Sequence, residues 1–318
     1  MSIRLLYSLL VGMWLILWPT ASSAANPALA AGAHDIDLGE VKLHYVVQGH
    51  GPLLFVATPG WGPSSLYLQN GLKPLEAKLT LVYIDMRGSG GSSRPADRTH
   101  MSQSVMADDI EALRQRLGVD SIDLLGHSDG GTIALEYAER HPEHLRKLVL
   151  VAPAVLGDRD EKTIHATMKL WENDPVYRDA VREVRAADTD WRAADFDDAK
   201  FLASLTKMLP LYLSDPQRYL DPFIKSFGDS SLSAFSQIAE EDAMRKDARD
   251  QTRDLGRVRA KTLILNGTVD WVCPYPVAQR LHEALPGSQL SLYANRAHML
   301  WIEAPDRFFA EVEQFLLA

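Results

Sequence analysis

Two rhythms of apolar and polar residues run along the chain. Short apolar stretches, "KLHYVVQG", "LLFVATPG", "LTLVYIDMRG", "SIDLLGHS", "LRKLVLVAPA", "KTLILNG" and "SQLSLYA", read as β-strands. The central ones are almost continuously apolar, the pattern of strands buried on both faces of a parallel sheet. Between them apolar residues recur at helical spacing. Met106, Ile110, Leu113 and Leu117 share one face of a helix that Gly118 ends. "GTIALEYAERHP" predicts a second helix, stopped at Pro142. Phe308, Val312 and Phe315 stripe a third. Strand–helix alternation of this kind predicts an α/β fold with helices on both faces of the sheet.

The alternation fails once. From residue 155 to residue 255, about a hundred residues carry no strand pattern, too long for a structureless loop. This predicts a helical cap inserted into an α/β core made of residues 34–154 and 256–318. The cap is rich in aromatics, among them Trp171, Tyr177, Tyr212, Tyr219 and Phe223. Most are expected in the cap's own core, with two or three reaching a ligand.

The N-terminus has a different pattern. Arg4 precedes the apolar run "LLYSLLVGMWLILW", which Pro19 and the small residues of "TASSAAN" close. This order predicts an export signal at residues 1–25, cut near Ala24 or Ala25, and a periplasmic or secreted protein. The run is short for a membrane-spanning helix; an uncut anchor is the alternative, and after cleavage no stable membrane span is expected. The Ala-rich stretch 26–33 reads as a flexible lead-in.

Composition narrows the function. Of 318 residues, 46% are hydrophobic and 24% charged, ordinary for a globular protein. A formal charge of −9, with 42 acidic against 33 basic residues and no basic block, argues against nucleic acid as a partner. The lone cysteine, Cys273, excludes an intrachain disulfide and reads as a small buried apolar residue. The histidines are scattered, so no metal site is expected, and no cofactor either. "RGSGGSS" superficially suggests a dinucleotide loop, but Ser93 stands where the third glycine belongs and the stretch follows the third strand, not the first.

The chemistry centres on "DLLGHSDGGTIAL", Asp123 to Leu135. Ser128 stands between Gly126 and Gly130, after a strand and before a helix, as a nucleophile elbow requires. A serine there projects its hydroxyl from a strained turn, while the glycines leave room for neighbouring backbone. Its hydroxyl needs a base, and the base an orienting carboxylate. Asp270 follows the strand "KTLILNG" and His298 follows "SQLSLYA", in the order acid then histidine. "APAVLG", after the preceding strand, offers no acid. Ser128, Asp270 and His298 are therefore the candidate triad. The Asp129 N–H and a donor from the loop "TPGWGP", the Trp61 N–H, are the candidate oxyanion hole.

These strings resemble the α/β-hydrolase superfamily over everything from about Gly39 to the C-terminus. "GHSDGG" matches its elbow, "DWVCP" is similar to its acid loop and "AHMLWIEAP" to its histidine loop. "DMRGSGGSSRP" and "PGWGPSS" resemble the prolyl-aminopeptidase-like branch, with Pro59 where a histidine is commonest. The resemblance implies a mostly parallel sheet flanked by helices, with a helical cap inserted after the sixth strand. It also implies a cofactor-free serine hydrolase acting on a small-molecule ester or a short peptide. An aminopeptidase and a carboxylesterase both remain open. So does a non-catalytic binding protein on the same fold.

Asp129 departs from that branch, where an aromatic residue commonly follows the nucleophile. Two readings stand: an acid that favours a helix N-terminus, or a substrate-binding carboxylate that reaches the cleft and holds a substrate ammonium. The cap acids Glu172, Glu240 and Glu241 are further candidates for an amine, with no motif to choose among them. His127 reads as structural and Glu303 as a surface or packing acid.

Overall fold

The computed structural model describes residues 26–190, 197–247, 249–253 and 255–318. The export signal expected at 1–25 lies outside them. Eight strands form one sheet: β1 (Gly32–Asp37), β2 (Lys42–Gly49), β3 (Leu53–Ala57), β4 (Thr80–Ile84), β5 (Ile122–His127), β6 (Leu145–Val151), β7 (Lys261–Gly267) and β8 (Gln289–Tyr293). Their order is β1-β2-β4-β3-β5-β6-β7-β8. The β1–β2 and β2–β4 pairs are antiparallel, and every other pair is parallel. The mostly parallel sheet implied by the sequence is therefore present.

Before β5 the chain forms α1 (Leu66–Leu72) and α2 (Gln103–Arg116), and after it α3 (Asp129–Arg140). Between β6 and β7 the described residues form five helices and no strand of the sheet: α4 (Glu161–Trp171), α5 (Arg178–Asp190), α6 (Asp198–Met208), α7 (Pro216–Phe227) and α8 (Ala234–Lys246). The chain closes with α9 (Tyr275–Ala284), α10 (Leu300–Glu303) and α11 (Pro305–Leu317). No helix among the described residues is long and apolar enough to cross a membrane.

Side chains alternate between the two faces of each strand. In β3, Phe55 and Ala57 join the core under α2, α3 and α9, while Leu54 and Val56 join the core under α1, α10 and α11. Both faces are dry, which is why the strand runs are apolar at every position.

One expectation is corrected. Residues 26–33 are not a loose lead-in: a 3-10 turn, Pro27–Leu29, leads into β1. Asn26 donates to the Leu117 carbonyl at 2.7 Å, and the Tyr45 hydroxyl donates to the Ala28 carbonyl at 2.9 Å. The strand "GAHDID" is mostly exposed and short of apolar residues, so hydrophobic patterning could not reveal it. The antiparallel ladder to β2 holds it instead.

Candidate active site

Ser128 occupies the single position between β5 and α3, with φ 57° and ψ −126°. That conformation is strained for a residue with a Cβ, and the surroundings enforce it. The Ser128 N–H donates to the Val151 carbonyl at 3.0 Å, and its carbonyl accepts from Gly131 at 2.8 Å and Ala154 at 2.9 Å. The two flanking glycines are obligatory for space. A Cβ on Gly126 would lie 2.2 Å from the Gly130 carbonyl oxygen, and one on Gly130 would lie 2.3 Å from that of Ala57.

Asp270 and His298 come from the loops after β7 and β8. The loops touch because the residue at the end of β7 is Gly267, where a Cβ would meet the Arg296 carbonyl oxygen at 2.1 Å. Val269 N–H donates to that same carbonyl and Thr268 N–H to the Tyr293 carbonyl. Oδ1 of Asp270 accepts from the Val272 N–H at 2.9 Å and the Cys273 N–H at 3.1 Å. Oδ2 faces Nδ1 of His298 at 2.8 Å. Both side chains are buried.

Ser128 and His298 line one small cavity of about 80 Å³. Its walls are otherwise mostly apolar and aromatic. Trp61 and Pro59 come from the loop after β3, Leu205 and Leu209 from α6 and its end, and Phe223 and Phe227 from α7. Among the described residues no carboxylate lines it. Of the insertion's aromatics named above, Tyr212 and Phe223 border the cavity. Trp171 and Tyr177 do not; they stack on each other, centroids 4.4 Å apart, in the insertion's own core.

The loop "TPGWGP" lies against the elbow. Its Gly60 N–H is already engaged, donating to Oδ2 of Asp129 at 2.7 Å. The Trp61 and Asp129 N–H groups have no protein acceptor among the described residues.

The Asp129 carboxylate, one candidate for a substrate ammonium, is not among the residues that line the cavity. It is buried, held by Gly60 and by Gln103, and hydrogen-bonded to Glu240. The Gly60 N–H and the Gln103 amide satisfy both of its oxygens there. Of the other two cap acids, Glu172 pairs with Arg185, and Glu241 accepts from Gln237 at 2.5 Å.

Several contacts were not foreseen. The His127 ring lies 4.7 Å from those of His298 and Trp301, and its Nδ1 is 3.0 Å from the Tyr67 hydroxyl. Burial and the neighbouring His298 push its pKa well below 6.5. Glu303 is buried and ties the histidine loop to the insertion: it accepts from the Ala297 N–H at 3.1 Å and the Ser214 N–H at 3.2 Å. Cys273 is buried as expected, and its thiol also adjoins the Ser128 hydroxyl. Its position in the acid loop, three residues after Asp270, was the available hint.

Comparison with known proteins places this fold among relatives. Residues 53–305 match the family model described as alpha/beta hydrolase fold. The chain is 24% identical to a proline iminopeptidase of Heyndrickxia coagulans, across 90% of this chain and 98% of that one. Among solved structures, an alpha/beta fold family hydrolase from Bacillus anthracis superposes with a TM-score of 0.72 at 20% identity, covering 89% of this chain and 98% of its own. An esterase from Exiguobacterium antarcticum gives 0.65 at 23% identity, covering 87% and 96%.

Proposed function

The chain belongs to the α/β-hydrolase family, and from that premise we propose that it is a serine hydrolase of small neutral esters, working through an acyl-enzyme. The observation that carries the reading is that Ser128 and His298 line one mostly apolar cavity, with Nδ1 of the imidazole 2.8 Å from Asp270.

In this reading Nδ1 of His298 keeps its proton toward Asp270, so Nε2 is the basic nitrogen. Ser128 Oγ attacks the acyl carbon as Nε2 takes its proton. The charge that develops on the carbonyl oxygen is met by the Trp61 and Asp129 N–H groups, the second of them at the start of α3. His298 then protonates the leaving alcohol. Water, deprotonated by the same nitrogen, releases the acid and frees Ser128. Asp270 holds the imidazole and stabilises its positive charge.

The cavity wall supports an ester over a free amino terminus. A substrate ammonium in a dry site needs a carboxylate beside it. The buried acids Asp129 and Glu240 bond each other and do not line the cavity. The likeness to a proline iminopeptidase favours the second reading, an N-terminal aminopeptidase.

A panel of p-nitrophenyl esters against aminoacyl p-nitroanilides decides between them. Neutral esters of short acyl chains are expected to be turned over best. A preference for the nitroanilides overturns the ester reading. A fluorophosphonate probe is expected to label the wild type and leave Ser128→Ala silent; an unlabelled wild type would instead support a non-catalytic ligand-binding role. We further propose that residues 1–25 direct export, with the mature chain starting near Ala25 or Asn26; intact-mass measurement of exported protein is the check, and an uncut N-terminus favours the anchor.

A further inference from the structure

Four parts of the chain meet in a buried polar knot beside the cavity. Asp129 of α3 accepts from the Gly60 N–H at 2.7 Å through Oδ2 and from Nε2 of Gln103, in α2, at 3.3 Å through Oδ1. The same Gln103 amide donates to Oε1 of Glu240, in α8, at 3.1 Å. The carboxyl of Glu240 is hydrogen-bonded to that of Asp129. All three side chains are buried. A Cβ on Gly60 would stand 2.3 Å from Oε1 of Glu240, so the loop after β3 is pressed directly onto the knot. The next residues of that loop are bonded to the segment leading into α8: Ser233 N–H donates to the Gly62 carbonyl, and Ser64 N–H to that of Ser231, each at 3.0 Å.

We propose that Asp129 and Glu240, bridged by Gln103, are positioning residues that hold Gly60 in place so that the N–H of the next residue, Trp61, stays aimed at the oxyanion. The proposal rests on the reading of Ser128 as nucleophile. An oxyanion donor helps only if it is already in place when charge develops, because reorienting it then costs what the bond would gain. The Gly60 N–H is the handle. Anchoring it fixes the peptide plane before Gly60 and restricts the one after it. Asp129 thus serves the site twice, with its own N–H and, through its carboxylate, with the loop that carries the other donor. Glu240 makes this loop dependent on the inserted helices.

The chemistry of the pair supplies a distinctive signature. No cation pairs with either carboxyl among the described residues. The other titratable groups that act on the pair or feel its charge are Glu241 on α8, Tyr67 on α1 and Cys273 in the acid loop. Two hydrogen-bonded carboxyls in a dry site hold one proton between them. Burial pushes Asp129 up, and burial with the charge of Asp129 pushes Glu240 well above the usual carboxylate range. When the pH rises far enough to remove the shared proton, the two carboxylates repel and the Gly60 anchor loosens. Turnover then falls on the alkaline side. A glutamine at position 240 donates the same bond to Asp129 and cannot ionise.

The experiment measures kcat and KM for a p-nitrophenyl ester across the pH range in wild type, Glu240→Gln and Glu240→Leu. Glu240→Leu is expected to lower kcat at neutral pH by about tenfold or more, towards the ~10²–10³-fold of a lost oxyanion donor. KM is expected to change far less, because the interaction acts in the transition state. Glu240→Gln is expected to recover most of that kcat and to lack the alkaline fall of the wild type. If the leucine variant does not fold, the pH profile of the glutamine variant decides. Wild-type kcat in Glu240→Leu, or an alkaline limb unchanged in Glu240→Gln, overturns the positioning role. Fluorophosphonate labelling keeps the two readings apart: a labelled Ser128 with indifferent Glu240 variants removes only this inference, while an unlabelled wild type removes both.

Discussion

Nδ1 of His298 lies 2.8 Å from Oδ2 of Asp270, and the other oxygen of that carboxylate is held by two backbone N–H groups. The carboxylate therefore cannot swing away, and the imidazole has one tautomer that satisfies it. An asparagine at 270 keeps the shape but can present its NH₂ to the ring and reverse the tautomer. Asp270→Asn is expected to fold normally and to lose about 10⁴-fold in kcat with little change in KM. Steady-state kinetics beside a melting curve check this; full activity in the variant removes Asp270 from the machinery.

The elbow leaves no room for a methyl group. Gly126→Ala places its Cβ against the carbonyl of Gly130, which is backbone and cannot rotate aside. Gly130→Ala does the same against Ala57. Each is expected to destabilise by about 1–3 kcal/mol or more, or to prevent soluble expression. Gly256, where an added Cβ meets nothing within 4 Å, is the control. Gly256→Ala is expected to stay within about 0.5 kcal/mol of wild type. Urea midpoints of the three variants give the comparison, and equal midpoints contradict the crowding.

His127 makes stability depend on pH. In the unfolded chain its imidazole takes up a proton near 6.5, whereas in the fold burial keeps it neutral to well below that value. Between the two the unfolded state binds more protons, so this contribution is present above about pH 6.5 and is lost as pH falls. The melting temperature of wild type is expected to fall more steeply on acidification than that of His127→Gln. Parallel curves mean the ring is protonated in the fold after all.

Arg87, in the turn after β4, is a structural ion. Its Nε and one terminal nitrogen each lie 2.7 Å from an oxygen of Asp109, and both side chains are buried. Asp109→Ala strands the guanidinium, leaving it Glu40 and the His100 carbonyl. A loss of about 3–5 kcal/mol is expected. Denaturant unfolding measures it, and a loss below about 1 kcal/mol, as for an exposed pair, refutes the assignment.

The sequence by itself determined every strand but the first, the order of Ser128, Asp270 and His298 just past strand ends, and the hundred-residue break whose described residues form five helices. These are properties of neighbours along the chain. Apolar runs, glycine spacing around Ser128 and the residue just past each strand end are visible because local sterics and burial dictate residue type there. β1 escaped, since a mostly exposed edge strand owes its shape to the ladder with β2 more than to its own residues. Only the tertiary structure decided where buried charges point. Asp129 was legible as an acid beside Ser128, yet its carboxylate turns to Gly60, Gln103 and Glu240, which lie at sequence separations of 69, 26 and about 111 residues. Such a partner set depends on which groups are desolvated together, and no local pattern carries that information.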